Sequence, residues 1–92
     1  MPRGFSETER ERIRRRLYSE GERLFAARGV RGTTVSDIAR AAGIAKGSFY
    51  RFARSKEEFF FDLLERTESE IRRDIERELS EARRKHEEVA QD

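Results

Sequence analysis

The sequence predicts an all-α protein, a three-helix helix-turn-helix head followed by a long fourth helix, and three observations carry that reading. Apolar residues from Ile13 to Phe25 recur at helical intervals. The stretch Thr33–Phe60, TTVSDIARAAGIAKGSFYRFARSKEEFF, places a small-residue and glycine turn between two short apolar-periodic segments. After Gly47 neither glycine nor proline interrupts the chain, so nothing signals a stop. No segment has the alternating pattern of a strand.

Helix 1 is expected over roughly residues 7 to 28. Ser6 and Glu9 have capping-box spacing, and Ile13, Leu17, Gly21, Leu24 and Phe25 form its apolar face up to Gly29. Pro2 falls in an N-terminus expected to fray. Thr33 or Thr34 can cap helix 2, which runs to about Ala42. Ala39 is small enough for a close helix crossing, Gly43 can take positive φ at the turn, and Ile44 anchors that turn in a core with Ile38, Ala42, Phe49 and Phe52. The reader helix is expected from about Lys46 to Phe52, and Ser55 with Glu58 forms a second capping box opening helix 4.

A helix from Lys56 to about Ala90 would extend about 50 Å, well beyond a three-helix head. Along it Phe60, Leu64, Thr67, Ile71, Ile75, Leu79, Ala82, His86 and Val89 form a narrow stripe. Glu68–Arg72, Arg72–Glu76, Arg77–Glu81 and Arg84–Glu88 stand one turn apart and are expected to pair. The stripe suits either a solvated helix or the seam of a dimer, although its successive four-residue steps are irregular for a heptad. Phe59, Phe60 and Phe61 sweep about 200° of helix surface and cannot all face one narrow core.

At 92 residues the chain fits one small domain with an economical core. Hydrophobic residues make up 35% and charged residues 43%, a balance that would permit disorder were the helical periodicity absent. There is no Cys, which excludes a disulfide framework, a thiol nucleophile and a Cys-based metal site. His86 sits on the distal helix without a Cys, Ser or paired-His constellation, so it reads as a stripe-edge or surface residue; no metal loop or phosphate-cradling glycine loop is present. No apolar run reaches membrane-spanning length and no signal-peptide core opens the chain, which makes a cytoplasmic protein the expectation. No cofactor is expected.

The net charge of +2 hides a division along the chain. Residues 1–56 carry 14 Lys/Arg against 6 Asp/Glu, a net of +8, whereas residues 57–92 carry 7 against 13, a net of −6. The run Arg10, Arg12, Arg14, Arg15 and Arg16 would by itself read as a solvated helix face. Beside a helix-turn-helix pattern, the basic half suits an approach to phosphates.

The pattern resembles the DNA-binding domain of the TetR family of transcriptional repressors, a homeodomain-like arrangement, over about the first two-thirds of the chain. The resemblance rests on Leu24-Phe25 with Gly29, Thr33-Thr34-Val35, Ile38-Ala39, Ala42-Gly43-Ile44, Lys46-Gly47-Ser48-Phe49-Tyr50 and Ser55-Lys56-Glu57. It implies a sequence-specific regulator of double-stranded DNA, repressor-like, reading a palindromic operator as a dimer. Three departures stand out. Phe52 replaces a polar ring that commonly contacts phosphate, Ala53 replaces a core aromatic, and Gly21 stands where alanine is usual, at about 1 kcal/mol in a helix interior unless close packing requires it. By the same pattern Phe59, Phe60, Leu63 and Leu64 face the head and Phe61 is left over, to pack locally against helix 1 or to meet a partner.

Recognition helices present their first residues to base edges, so Lys46, Gly47 and Ser48 are the expected base contacts, with Arg51 reaching a base or the backbone. Tyr50, one turn beyond Lys46, suits a phosphate or a thymine methyl, and the resemblance implies phosphate contacts at Thr34, Ser36 and Lys56. The expected division is a head over residues 1–64 and a helical extension over 65–92 that serves as a dimerisation or linker helix. The family's inducer-binding domain has no counterpart in this length, so no small-molecule inducer site is expected. The competing reading is a protein-interaction module, with the long acidic helix as the binding element and the helix-turn-helix as scaffold.

Overall fold

The computed structural model describes residues 4–90, apart from the side chain of Ala90; Pro2 lies outside the described residues. Four helices follow in order, α1 Glu7–Arg28, α2 Val35–Ala42, α3 Lys46–Phe49 and α4 Lys56–Ala90, and the described residues include no strand.

Local chemistry sets most of these boundaries. The Ser6 hydroxyl accepts the Glu9 N–H at 3.2 Å while the Glu9 carboxylate accepts the Ser6 N–H at 3.0 Å, satisfying donors that the first turn of α1 would leave free. Gly29, at φ 77°, ends the helix and donates its N–H to Phe25 O at 2.8 Å. Of the two candidate caps of α2, Thr34 is the one used: its hydroxyl accepts the Asp37 N–H at 3.0 Å and the Asp37 carboxylate accepts the Thr34 N–H at 2.9 Å. Thr33 turns the other way. Fully buried, it directs its hydroxyl at Gly29 O, 2.9 Å away, with Leu24 O at 3.4 Å, and so ties the loop to the end of α1.

The sharp turn after α2 is a Schellman closure. Ile44 N–H reaches Ala39 O at 2.9 Å and Gly43 N–H reaches Arg40 O at 3.1 Å, with Gly43 in the left-handed region at φ 77°, ψ 27°. The Arg16 guanidinium adds a bond to Ala42 O at 3.3 Å, placing a cation at the negative end of α2.

Two boundaries differ from expectation. The α-helical part of the reader stops at Phe49 instead of Phe52, and the chain continues in tight turns closed by Arg51 N–H to Ser48 O at 3.1 Å and Phe52 N–H to Phe49 O at 2.9 Å. The capping box at α4 is only half formed: Ser55 accepts the Glu58 N–H at 3.0 Å, but the Glu58 carboxylate accepts the N–H of Arg54, at 2.9 Å, in place of that of Ser55.

The core joins Ile13, Leu17, Leu24 and Phe25 of α1 to Ile38, Ala39 and Ala42 of α2, Phe49 of α3, Ala53, and Phe59 and Leu63 of α4. Ile44 and Phe52 pack at its margin. Phe59 is its hub, 2% exposed, stacked on Tyr18 at a centroid distance of 5.4 Å and meeting Phe49 at 5.3 Å and Phe25 at 6.1 Å. Gly21 is explained here, because a Cβ at that position would lie 2.5 Å from Phe59 Cε2. The helix interior accepts glycine so that α4 can come close.

The three successive phenylalanines separate as the geometry requires. Phe59 enters the core, Phe60 is half-buried with its edge toward Phe25 at 5.3 Å, and Phe61 is 61% exposed instead of packing on α1. Leu64, expected to face the head, is 41% exposed. Among the described residues Leu63 is the last buried one, Thr67 and Ser69 are half-buried, and residues 70–89 are exposed. The long axis of the molecule accordingly reaches 64 Å. Among the described residues the distal helix carries an Arg77–Asp74 ion pair at three-residue spacing, in place of the four pairs expected at four-residue spacing. No described helix is long and apolar enough to cross a membrane.

Candidate nucleic-acid interface

The elements that flank the reader bring five of the eight expected site residues around one open groove of about 390 Å³. Thr34 and Ser36 come from the start of α2, Lys46 and Tyr50 from the reader, and Lys56 from the start of α4; Val35, Arg54, Ser55 and Glu57 complete the lining. The groove thus gathers hydroxyls, two ammonium groups and a guanidinium between two helix starts, a combination that favours an oxyanion. Glu57 is the one carboxylate in the lining.

Each residue is held by a specific cause. Thr34 is fixed by its reciprocal bonds with Asp37. Those bonds, the Thr34 backbone N–H foremost, hold the Asp37 carboxyl below its ordinary value, and Arg28, 3.5 Å away, lowers it further. Ser36 is half-buried in the first turn of α2. Lys46 and Gly47 are exposed, Ser48 is half-buried, and no atom would meet a Cβ added at Gly47, so this face of the reader is open to a close approach. Tyr50 is 49% exposed, its ring set edge-to-face on Phe49 at 5.4 Å. Lys56 is more committed than expected: its ammonium donates to Val30 O at 2.8 Å, clamping the start of α4 to the α1–α2 loop. Two of its three N–H donors remain for a ligand.

Gly47, Ser48 and Arg51 lie outside the groove lining. Arg51, expected at a base or the backbone, has its guanidinium 5.5 Å from the centre of the Phe5 ring. Phe5 in turn lies 6.2 Å from Phe52, and Arg10 and Arg14 each lie 5.6 Å from the centre of Phe52. Sequence reasoning missed this cluster. The available signal was that Arg10 and Arg14 stand one turn apart beside Ile13, on the edge of the face that α1 turns to the core.

A short reader helix exposed along one face, locked to its neighbour by a Schellman turn and flanked by a cation- and hydroxyl-lined groove, defines a helix-turn-helix head of the nucleic-acid-binding class. Residues 17–63 match the family described as bacterial regulatory proteins, tetR family, and the chain belongs to that family. It is similar to the HTH-type transcriptional repressor DhaR of Mycobacterium sp. (strain GP1), 39% identical over 70 residues that cover 76% of this chain and 35% of DhaR. It is also similar to the repressor NemR of Escherichia coli (strain K12), 43% identical over 53 residues covering 58% and 27% of the two chains. The repressor KstR2 of Mycobacterium tuberculosis (strain ATCC 25618 / H37Rv) is 56% identical over 41 residues, covering 45% and 20%. The matched part spans about a third or less of these relatives' length. No solved structure gives a significant match.

Proposed function

We propose that this chain is the DNA-reading head of a transcriptional repressor and binds a palindromic duplex site in the cytoplasm as a homodimer. Residues 1–64 form the reader; the extension over 65–92, through its exposed stripe, joins two copies and sets the spacing of half-sites. The observation that carries the reading is the groove beside the reader, where Thr34, Ser36, Lys46, Tyr50 and Lys56 converge on a head of the tetR family. Lys46, Gly47 and Ser48 meet base edges, with Arg51 just beyond the reader. Thr34, Ser36, Tyr50 and Lys56 hold the phosphate backbone, fixing register without specifying sequence. No inducer site is assigned to this chain.

The test is selection of bound duplexes from a random pool at near-physiological salt, followed by affinity measurements on the enriched sequence. Lys46→Ala should reduce the preference for the enriched site by about 1–3 kcal/mol. Lys56→Ala should weaken every duplex alike and flatten the salt dependence of log K by about 0.9. Sedimentation of the chain with and without the enriched duplex reads the dimer directly. No enrichment, together with unchanged affinity in both variants, would refute DNA reading and favour a scaffold for an interaction helix.

A further inference from the structure

We propose that Arg10, Arg14 and Arg51, gathered on the Phe5 and Phe52 rings, form a second backbone-phosphate site, beside the reader and separate from the groove of Thr34 and Lys56. The inference rests on the DNA reading above.

Three guanidiniums in one small region repel one another and need a cause. Arg10 and Arg14 each lie 5.6 Å from the centre of Phe52, Arg51 lies 5.5 Å from the centre of Phe5, and the two rings are 6.2 Å apart. The rings' negative faces attract the cations, and the aromatic pair links the residue just before the cap of α1 to the turn that follows the reader. Carboxylates do little of this work: Arg14 pairs with Glu11 at 3.1 Å, while the side chains of Arg10 and Arg51 make no ion pair or hydrogen bond among the described residues.

A cation–π contact holds the charge without using the N–H donors. Each guanidinium has five of them in a planar fork that matches an oxyanion. Arg10 and Arg14 are half-buried, so their stems are partly ordered before a ligand arrives, whereas Arg51 is exposed. Arg51 follows the reader by two residues and turns toward Phe5, while Lys46 and Tyr50 line the groove, from which Arg51 is absent. The arginine cluster and the groove lining share no residue, so two distinct sets of cationic donors adjoin the reader segment, as backbone contacts around a helix seated in a major groove require. Phe52, apolar itself, serves as the platform that positions the donors.

The experiment compares the wild type with Arg10→Ala/Arg14→Ala and with the charge-matched control Arg12→Ala/Arg15→Ala, on the enriched duplex and a scrambled one, from low to physiological salt. The Arg10/Arg14 pair should weaken both duplexes by the same factor, about tenfold or more, and flatten the salt slope by about 1.8 for two lost phosphates. The control should stay within about twofold of the wild type, because its arginines touch neither ring. Phe52→Leu keeps every charge, and it should weaken binding severalfold with little change in slope. Helical ellipticity and the melting midpoint check each fold. Should the alanine pair unfold, Arg10→Gln/Arg14→Gln keeps longer side chains and carries the same expectation. Equal behaviour of the Arg10/Arg14 and Arg12/Arg15 pairs would overturn the second site while leaving the reader intact. A wild-type chain that prefers no duplex would overturn both.

Discussion

Replacing Gly21 by alanine ought to stabilise an ordinary helix interior by about 1 kcal/mol. Here the opposite is expected. The new Cβ would lie 2.5 Å from Cε2 and 2.8 Å from Cζ of Phe59. Carbon atoms rest about 3.5–4.0 Å apart, so about 1 Å of room must be found. Phe59 cannot supply it by rotating into solvent, since it is 2% exposed and confined by Tyr18, Phe25 and Phe49. Overpacking a core of this kind costs about 1–3 kcal/mol, leaving a net loss of up to about 2 kcal/mol after the helix-propensity gain. In a domain of this size each kcal/mol moves the melting midpoint by about 4–8 °C. Urea unfolding followed by ellipticity at 222 nm, with a thermal scan beside it, measures both. The decisive comparison is the same alanine in a Phe59→Leu background, where the smaller side chain vacates the space and the substitution should become neutral or favourable. An alanine variant more stable than the wild type by the full helix-propensity gain, about 1 kcal/mol, in the original background would refute the packing argument.

Thr34→Ala should cost about 1 kcal/mol through loss of the α2 cap. Because the folded-state Asp37 carboxyl is held below its ordinary value by Thr34, its contribution is present above about pH 3.8 and is lost as pH falls through the lower folded value. The stability difference between wild type and Asp37→Ala, which removes the carboxylate itself, should therefore narrow in acid, as read by denaturant midpoints across pH; a constant difference would exclude the linkage. Tyr18 is expected to ionise above its ordinary value, chiefly because burial against Phe59 disfavours the phenolate, with Asp62 adding repulsion and Arg66, 4.4 Å from the ring centre, opposing the shift. The sign follows: stability should fall as pH rises from about 10 toward the higher folded value. A Tyr50→Phe chain leaves Tyr18 as the only tyrosine, so its ultraviolet titration can be followed without overlap; a midpoint at or below the ordinary value would contradict the burial argument.

Most features determined by neighbours in sequence were legible, the full Ser55–Glu58 box and the side-chain pairs of the distal helix excepted, and several determined by distant contacts were not. The limits of α1, the Ser6–Glu9 box and the glycine ends at Gly29 and Gly43 all depend on groups a few residues apart. The early end of the α-helical reader, the bond from Lys56 to Val30 O and the turning of Thr33 toward α1 depend on how the finished head closes. Leu64 illustrates the limit of periodicity: it shares the stripe with Phe60, but the head ends before it. For the candidate site, the sequence identified the residue types around the groove, and the fold supplied their convergence. The Arg10–Phe52 contact joins residues 42 positions apart in a chain whose sequence reading treated them separately.

The exposed run of α4 has a consequence for how this protein melts. From residue 70 to 89 no side chain is withdrawn from water, so these turns are held by backbone bonds and local side-chain pairs alone. Such a segment frays from its end in many small steps, whereas the aromatic core gives way as a unit. Heating should therefore drain far-ultraviolet ellipticity gradually while the environment of Tyr18 stays intact, then remove both together. Helix content and the integrity of the head are separate quantities in this molecule, and a half-melted spectrum can belong to a fully assembled reader.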